Sequence, residues 1–334
     1  METRKVQLTG GSTYTVSLPK EWATANDVEA GSEIQFHPED ERLVLSPRDS
    51  EEQSTGSFDV GSRDGAAELT RVVITMYVSG FDQICLTGDR LTADQRQVIR
   101  RTSQDLVGLE IIEETQDRIV LQDLFDSSEL EIENSLERMR LLALTMVGDA
   151  VTALVDGDGD LAADVIDRDD DIDRLWFMVS RIFRTVLRNP AAATVVDLDR
   201  ETVFDYQSGA RQLERVADHA TKIAGVASEV ETVPDPIVED LEALESEATD
   251  LCETAVDALL ESEVETATRE AESVLERLPA VTDQARAVSN AVVEIEDSQR
   301  AQRLGLVVDS LSRTADYGGN VAESAFLRST PRPE

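Results

Sequence analysis

Glu214 and Asp218 lie four residues apart, and so do Asp169 and Asp173. On a helix that spacing puts both members of a pair on one face. Like charges held there repel, and beside a packing seam they destabilise the fold unless arginines or a cation compensate. Arg211 and Arg215 are the nearest arginines to the first pair. Carboxylates brought together from two antiparallel helices form an all-oxygen site for a hard cation, which favours magnesium, manganese or ferric iron over zinc or copper. The alternative is a solvated flank neutralised by arginine. No nucleophile, histidine pair or phosphate-cradling glycine loop accompanies these acids, so a metal-dependent hydrolase is the weaker reading.

Other reactive residue types are sparse. His37 and His219 stand apart, and neither reads as a general base or zinc ligand. Cys85 and Cys252 are isolated, which argues against a disulfide framework or a zinc site. The stretch DGDGDLAADVID from Asp156 imitates a calcium loop, but Leu161 stands where glycine is needed and Asp167 where a bidentate glutamate is needed, so it reads as a turn between helices.

The elements that must position the acids are long amphipathic helices. From about Leu130 apolar residues recur every three to four positions. Ile132, Leu136, Met139, Ala143, Met146, Ala150 and Ala153 form one stripe, and Ile172, Leu175, Val179, Ile182 and Val186 a second. Val203, Tyr206, Ala210, Leu213, Ala217, Ala220, Ala224 and Ala227 form a third, which predicts a three-helix bundle. LERVADH at 213–219 returns as LSRTADY at 311–317, 98 residues later, and the same offset carries the third stripe onto Leu304, Val308, Leu311, Ala315, Gly318, Ala322 and Ala325. A second copy of the bundle follows. In it Asp316 matches Asp218, but Ser312 replaces Glu214; Asp309 and Asn320 lie within a turn or two, and the second helix, EAESVLERLP, has no Asp cluster.

The doubled motif resembles the PhoU family, of the archaeal type, over roughly residues 128–328. The resemblance implies two three-helix bundles, metal at the paired acids Glu214 and Asp218, and a negative regulator of phosphate uptake. Such a regulator acts through the phosphate ABC transporter or its signalling machinery and is not an enzyme. With Asp169 and Asp173 opposite, the first bundle is the expected site of a divalent or ferric ion, and Asp316 with Asp309 the weaker second one.

At the start, short apolar alternations (Val6, Leu8; Tyr14, Val16, Leu18; Ile34, Phe36; Leu43, Leu45) with turns at Gly10-Gly11 and Pro38–Glu41 predict β-β-α-β-β, with a helical turn after Pro19. This unit has too few large apolar groups to stand alone. RKVQLTGGSTYTVSLPKEW, AGSEIQF and RLVLSP resemble the SpoVT/AbrB family, which folds as an intertwined homodimer and commonly binds DNA. That role would fall here to Arg4, Lys5 and Lys20, making a direct transcriptional regulator the alternative function. Residues 1–50 hold five basic residues against nine acidic ones, which works against phosphate contact. Asp49 to Ser62 reads as a linker, followed by a mixed α/β segment with a helix through Leu69–Met76, a strand at QICL and a hairpin around Thr115–Asp117.

The division is therefore 1–48 swapped-hairpin domain, 49–62 linker, 63–126 α/β connecting segment, 128–231 first bundle and 236–328 second bundle. The fold class is mostly α. With 334 residues and 41% hydrophobic content the chain can build such cores. Its net charge of −38, with only three lysines, is spread along the whole length and reads as adaptation to concentrated salt, as in a halophilic archaeon. The absence of a signal-like start or a long apolar run predicts a cytoplasmic protein with no membrane insertion.

Overall fold

The computed structural model describes residues 3–39, 42–47, 54–61, 65–124, 132–189, 192, 196, 198–230 and 232–330, in two compact units divided after Gln53. The first unit has the expected order. Strands β1 (Gln7–Thr9) and β2 (Thr13–Thr15) pair antiparallel, α1 (Lys20–Ala25) follows, and β3 (Ile34–Glu39) pairs with β4 (Arg42–Pro47). The first turn needs left-handed backbone twice in succession, at φ 64° and 83°, which Gly10 and Gly11 supply without steric cost. His37 is tied to Ser46 at 2.9 Å. None of the described residues of this unit is buried, and Val6, Leu8, Tyr14, Val16, Phe36 and Leu43 are exposed.

The second unit opens with an α/β layer. Strand β5 (Thr55–Asp59) falls inside the stretch expected to be a linker: its residues pair in parallel with β6 (Gln83–Thr87), held at the start by Ser54, whose backbone N–H and hydroxyl both donate to Asp82. The rest of that stretch, 49–53 and 62, lies outside the described residues. The sheet order is β5-β6-β8-β7, with β7 (Leu109–Glu114) and β8 (Arg118–Asp123) forming the expected hairpin. Helices α2 (Ala66–Val78) and α3 (Ala93–Gln104) cover one face, burying Ile84, Leu86, Ile119 and Leu121 against Leu69, Val73, Tyr77 and Ile99. Thr92 starts α3 with a reciprocal capping box to Gln95. This layer has an apolar core of its own.

Two three-helix bundles follow. The first comprises α4 (Ile132–Asp156), a second helix broken at Arg168 into α5 (Gly159–Asp167) and α6 (Asp169–Arg188), and α7 (Arg200–Ala227). At the break Arg168 reaches back to Asp149 of α4 at 2.6 Å. The calcium-loop imitation resolves into a tight turn plus the start of α5, with the Asp158 carboxylate accepting from the backbone N–H groups of Asp160 and Leu161 as an N-cap. The second bundle comprises α8 (Asp235–Leu260), α9 (Val264–Val293), which runs through Pro279, and α10 (Ser298–Ser329). All three stripes of the first bundle and the repeated stripe on α10 are buried, and the two bundles share one continuous apolar core. Close approach in this core requires glycine, between the bundles at Gly209 and between α8 and α10 of the second bundle at Gly318. A Cβ on Gly209 would stand 2.5 Å from Leu259 Cδ2, and one on Gly318 would stand 3.0 Å from the Cys252 backbone nitrogen.

The α/β layer docks on the first bundle through α6. Arg181, 6% exposed, pairs with Asp123 at 2.5 Å, donates to the Tyr77 carbonyl at 2.6 Å and lies over the Tyr77 ring, while Arg188 donates to the Ser79 carbonyl. Among the described residues no helix is long and apolar enough to cross a membrane.

Candidate functional site

Helices α6 and α7 run antiparallel, and their flanking residues meet in a regular ladder. Phe183 faces Phe204, with ring centroids 5.9 Å apart. Trp176 faces Arg211, whose guanidinium carbon lies 5.1 Å from the ring centroid. Asp173 feels Glu214, and Asp169 feels Asp218. The steps along α6 between these rungs (seven, three and four residues) equal the steps along α7, as two antiparallel helices in fixed register require. Between the first two rungs Ser180 is buried with its hydroxyl unpartnered. The seam is aromatic at one end and acidic at the other.

At the acidic end, burial and then the charges of Asp169, Glu214, Asp218 and Asp170 push the Asp173 carboxyl up to about 7. Burial, followed by Asp218 and Asp170, also raises Asp169, with Lys222 opposing. Burial raises Glu214, partly offset by Arg211 and Arg215. Arg211 donates to Glu214 Oε1 at 3.0 Å, whereas Oε2 is buried without a hydrogen-bond partner. Arg215, the other arginine expected to neutralise the pair, lies over the Tyr317 ring. The sequence-predicted set of Glu214, Asp218, Asp169 and Asp173 is thus brought together electrostatically. Among the described residues, however, no three acidic, histidine or cysteine side chains are gathered tightly enough to hold a metal ion. The donor chemistry suits a hard cation: every group is a carboxylate and one oxygen is buried and orphaned. The spacing does not yet close a coordination shell.

The second bundle has no counterpart to this seam. Asp316 pairs with Arg313 at 3.4 Å, and Asp309 lies where its charge acts on His219 of α7, so the two do not form a joint site. Counted from the starts of the equivalent helical stretches, 159–188 and 264–293, Asp169 and Asp173 correspond to Val274 and Leu278, which pack in the core. His219, which sequence reasoning set aside, is 9% exposed and meets its own repeat equivalent: its Nε2 lies 3.3 Å from the Tyr317 hydroxyl. Burial holds its pKa below the ordinary value. The 98-residue offset joining these two positions was the available signal. Arg4 and Lys5 precede β1 and Lys20 opens α1, all on exposed positions of the first unit.

Two three-helix bundles fused around one apolar core, with an acidic interhelical seam in the first, define the class: a tandem-bundle helical protein. The comparisons make this particular. Residues 136–227 match the family described as PhoU domain, and residues 7–53 match the family described as antidote-toxin recognition MazE, bacterial antitoxin, an AbrB-like unit. The crystal structure of PhoU from Pseudomonas aeruginosa is 25% identical, with a TM-score of 0.51, over 60% of this chain and 96% of that one. The phosphate transport system regulatory protein PhoU from Streptococcus pneumoniae is 22% identical, with a TM-score of 0.48, over 58% and 91%. No curated protein matches the chain.

Proposed function

We propose that this protein is a negative regulator of phosphate uptake, acting in the cytoplasm by contact with the phosphate ABC transporter or its signalling machinery and not by turnover. The observation that carries the reading is the PhoU domain together with a tandem-bundle likeness that spans almost the whole of a solved PhoU. Within it, Glu214, Asp218, Asp169 and Asp173 would hold a divalent or ferric ion once their side chains close around it. The ion would supply positive charge to a seam whose burial and mutual repulsion disfavour carboxylates. The first unit, with six exposed apolar side chains and no core among its described residues, makes the protein a homodimer.

Deleting the gene tests the regulatory reading. Phosphate uptake or transporter transcripts should rise in phosphate-rich medium, and wild-type levels of both would overturn it. The MazE-type match is the observation behind a second reading, in which Arg4, Lys5 and Lys20 contact DNA. The acidic excess of residues 1–50 makes it the less favoured one. Chromatin occupancy at discrete sites under phosphate starvation or repletion would reverse that order.

A further inference from the structure

The aromatic half of the α6–α7 seam plays no part in holding a cation, yet it is exposed. Phe204 is 53% and Leu187 56% exposed, and half-buried Phe183 lies against Phe204. Asp169, Asp173, Trp176, Phe183 and Leu187 follow one another along α6 at intervals of three, four or seven residues, so they make a single straight stripe. The matching positions of α7 run beside it. From the Phe183 rung to the Asp169 rung is fourteen residues, about 21 Å of helix axis.

We propose that this seam, while no metal ion occupies its acids, docks an amphipathic helix of a partner protein, with apolar side chains at i, i+3 or i+4 and i+7 seated on Phe183, Leu187 and Phe204, and lysine or arginine at one end reaching Asp173, Glu214 and Asp218, so that metal and partner compete. Charge complementarity selects this occupant. The acidic end holds four carboxylates on its two outer rungs, with Asp170 beside them, against Arg211, which is already engaged by Trp176 and Glu214, Arg215, which lies over the Tyr317 ring, and Lys222. A membrane surface bearing anionic lipid is repelled by the same carboxylates. A second copy laid antiparallel on the seam would set acids against aromatics and leave the charges unmatched. A partner helix of about four turns would bury on the order of 1,000 Å² in total, at the small end of specific interfaces, which fits a transient regulatory contact. The inference rests on the proposed regulatory function only for which protein supplies the helix, and not for the surface itself.

The test uses the full chain and a fluorescently labelled eighteen-residue helical peptide with leucines at that spacing and four lysines at one end, followed by anisotropy. A version with glutamates in place of the lysines is the control. Phe204→Ser with Leu187→Ser should weaken the cationic peptide at least tenfold, and so should Asp173→Asn with Asp218→Asn; the anionic peptide should not bind. Because the substituted apolar groups are exposed, circular dichroism of the first variant should match wild type. If the cationic peptide binds the Phe204→Ser, Leu187→Ser variant as it binds wild type, the attraction is only that of a highly acidic chain and the docking surface is refuted. It is refuted also if light scattering shows that this variant loses self-association. In cells the two proposals separate. Derepression on gene deletion with wild-type behaviour of the Phe204→Ser, Leu187→Ser allele sinks the docking surface and keeps the regulatory function. Seam-dependent peptide binding without any phosphate phenotype on deletion does the reverse.

Discussion

Replacing Asp173 by asparagine should stabilise the protein, and more so as pH rises. In the folded chain this carboxyl titrates at about 7 against an ordinary 3.8, chiefly through burial and the neighbouring acids Asp169, Glu214 and Asp218. A group that binds its proton more tightly when folded favours folding while protonated. Its penalty is therefore absent below about pH 4, grows as pH rises towards 7 and is complete above it. The full displacement corresponds to about 4 kcal/mol at 1.4 kcal/mol per tenfold change in proton affinity. Asp173 is partly exposed, and solvent screening reduces this to about 2 kcal/mol. Urea unfolding of wild type and Asp173→Asn should coincide at pH 4 and diverge by about 2 kcal/mol at pH 8, some 4 °C in melting temperature for a unit of this size. Magnesium or manganese should stabilise wild type by linkage and act much less on the variant. A variant that is less stable than wild type at pH 8, or a difference that does not change between pH 4 and 8, would refute the account of a repulsive, buried acidic seam.

Arg181→Met should destabilise the second unit by about 3 kcal/mol, because it strips a buried cation from Asp123 and a donor from the Tyr77 carbonyl; urea unfolding measures the loss, and hydrogen exchange should place the loosening in α2 and β8. Gly318→Ala should cost about 1–3 kcal/mol, read as a lower melting temperature, since its Cβ meets the backbone of α8, which cannot move aside as a side chain can. Truncation to residues 54–334, which keeps β5 intact, should convert a dimer to a monomer by light scattering; an unchanged dimer would place the interface in the bundles or the α/β layer.

Much of the fold is legible because the bundles obey a simple period. Every residue of the three stripes is buried, and the 98-residue offset marks the third helix of the second bundle in the sequence itself. Strand β5 was not legible for an equally physical reason. TGSFD is short, contains glycine and faces its core with only Gly56 and Phe58, so it has almost no alternating apolar signal. The role of the α/β layer depended on Arg181, an arginine on a helix that otherwise reads as polar surface at that position; only its partner on a distant strand shows that it is buried. At the seam, the four acids could be assigned to two faces from spacing alone. Which rung meets which required the antiparallel register, and with it came Trp176, Phe183 and Phe204, which a one-helix reading assigns to no partner.

The contact of His219 with Tyr317 carries a consequence about inheritance. Two identical chains related by a dyad must accept every substitution twice, once in each copy, so an acidic ladder in one would be an acidic ladder in both. Here the two halves meet through equivalent positions as such copies would, but they are joined in one chain and each position is free to change alone. The imidazole and the phenol where the halves meet differ, and so do the second helices: one half has Asp169 and Asp173 where the other has Val274 and Leu278. One chain can therefore carry charge on one half and apolar side chains at the matching place on the other, which two copies of a single sequence cannot.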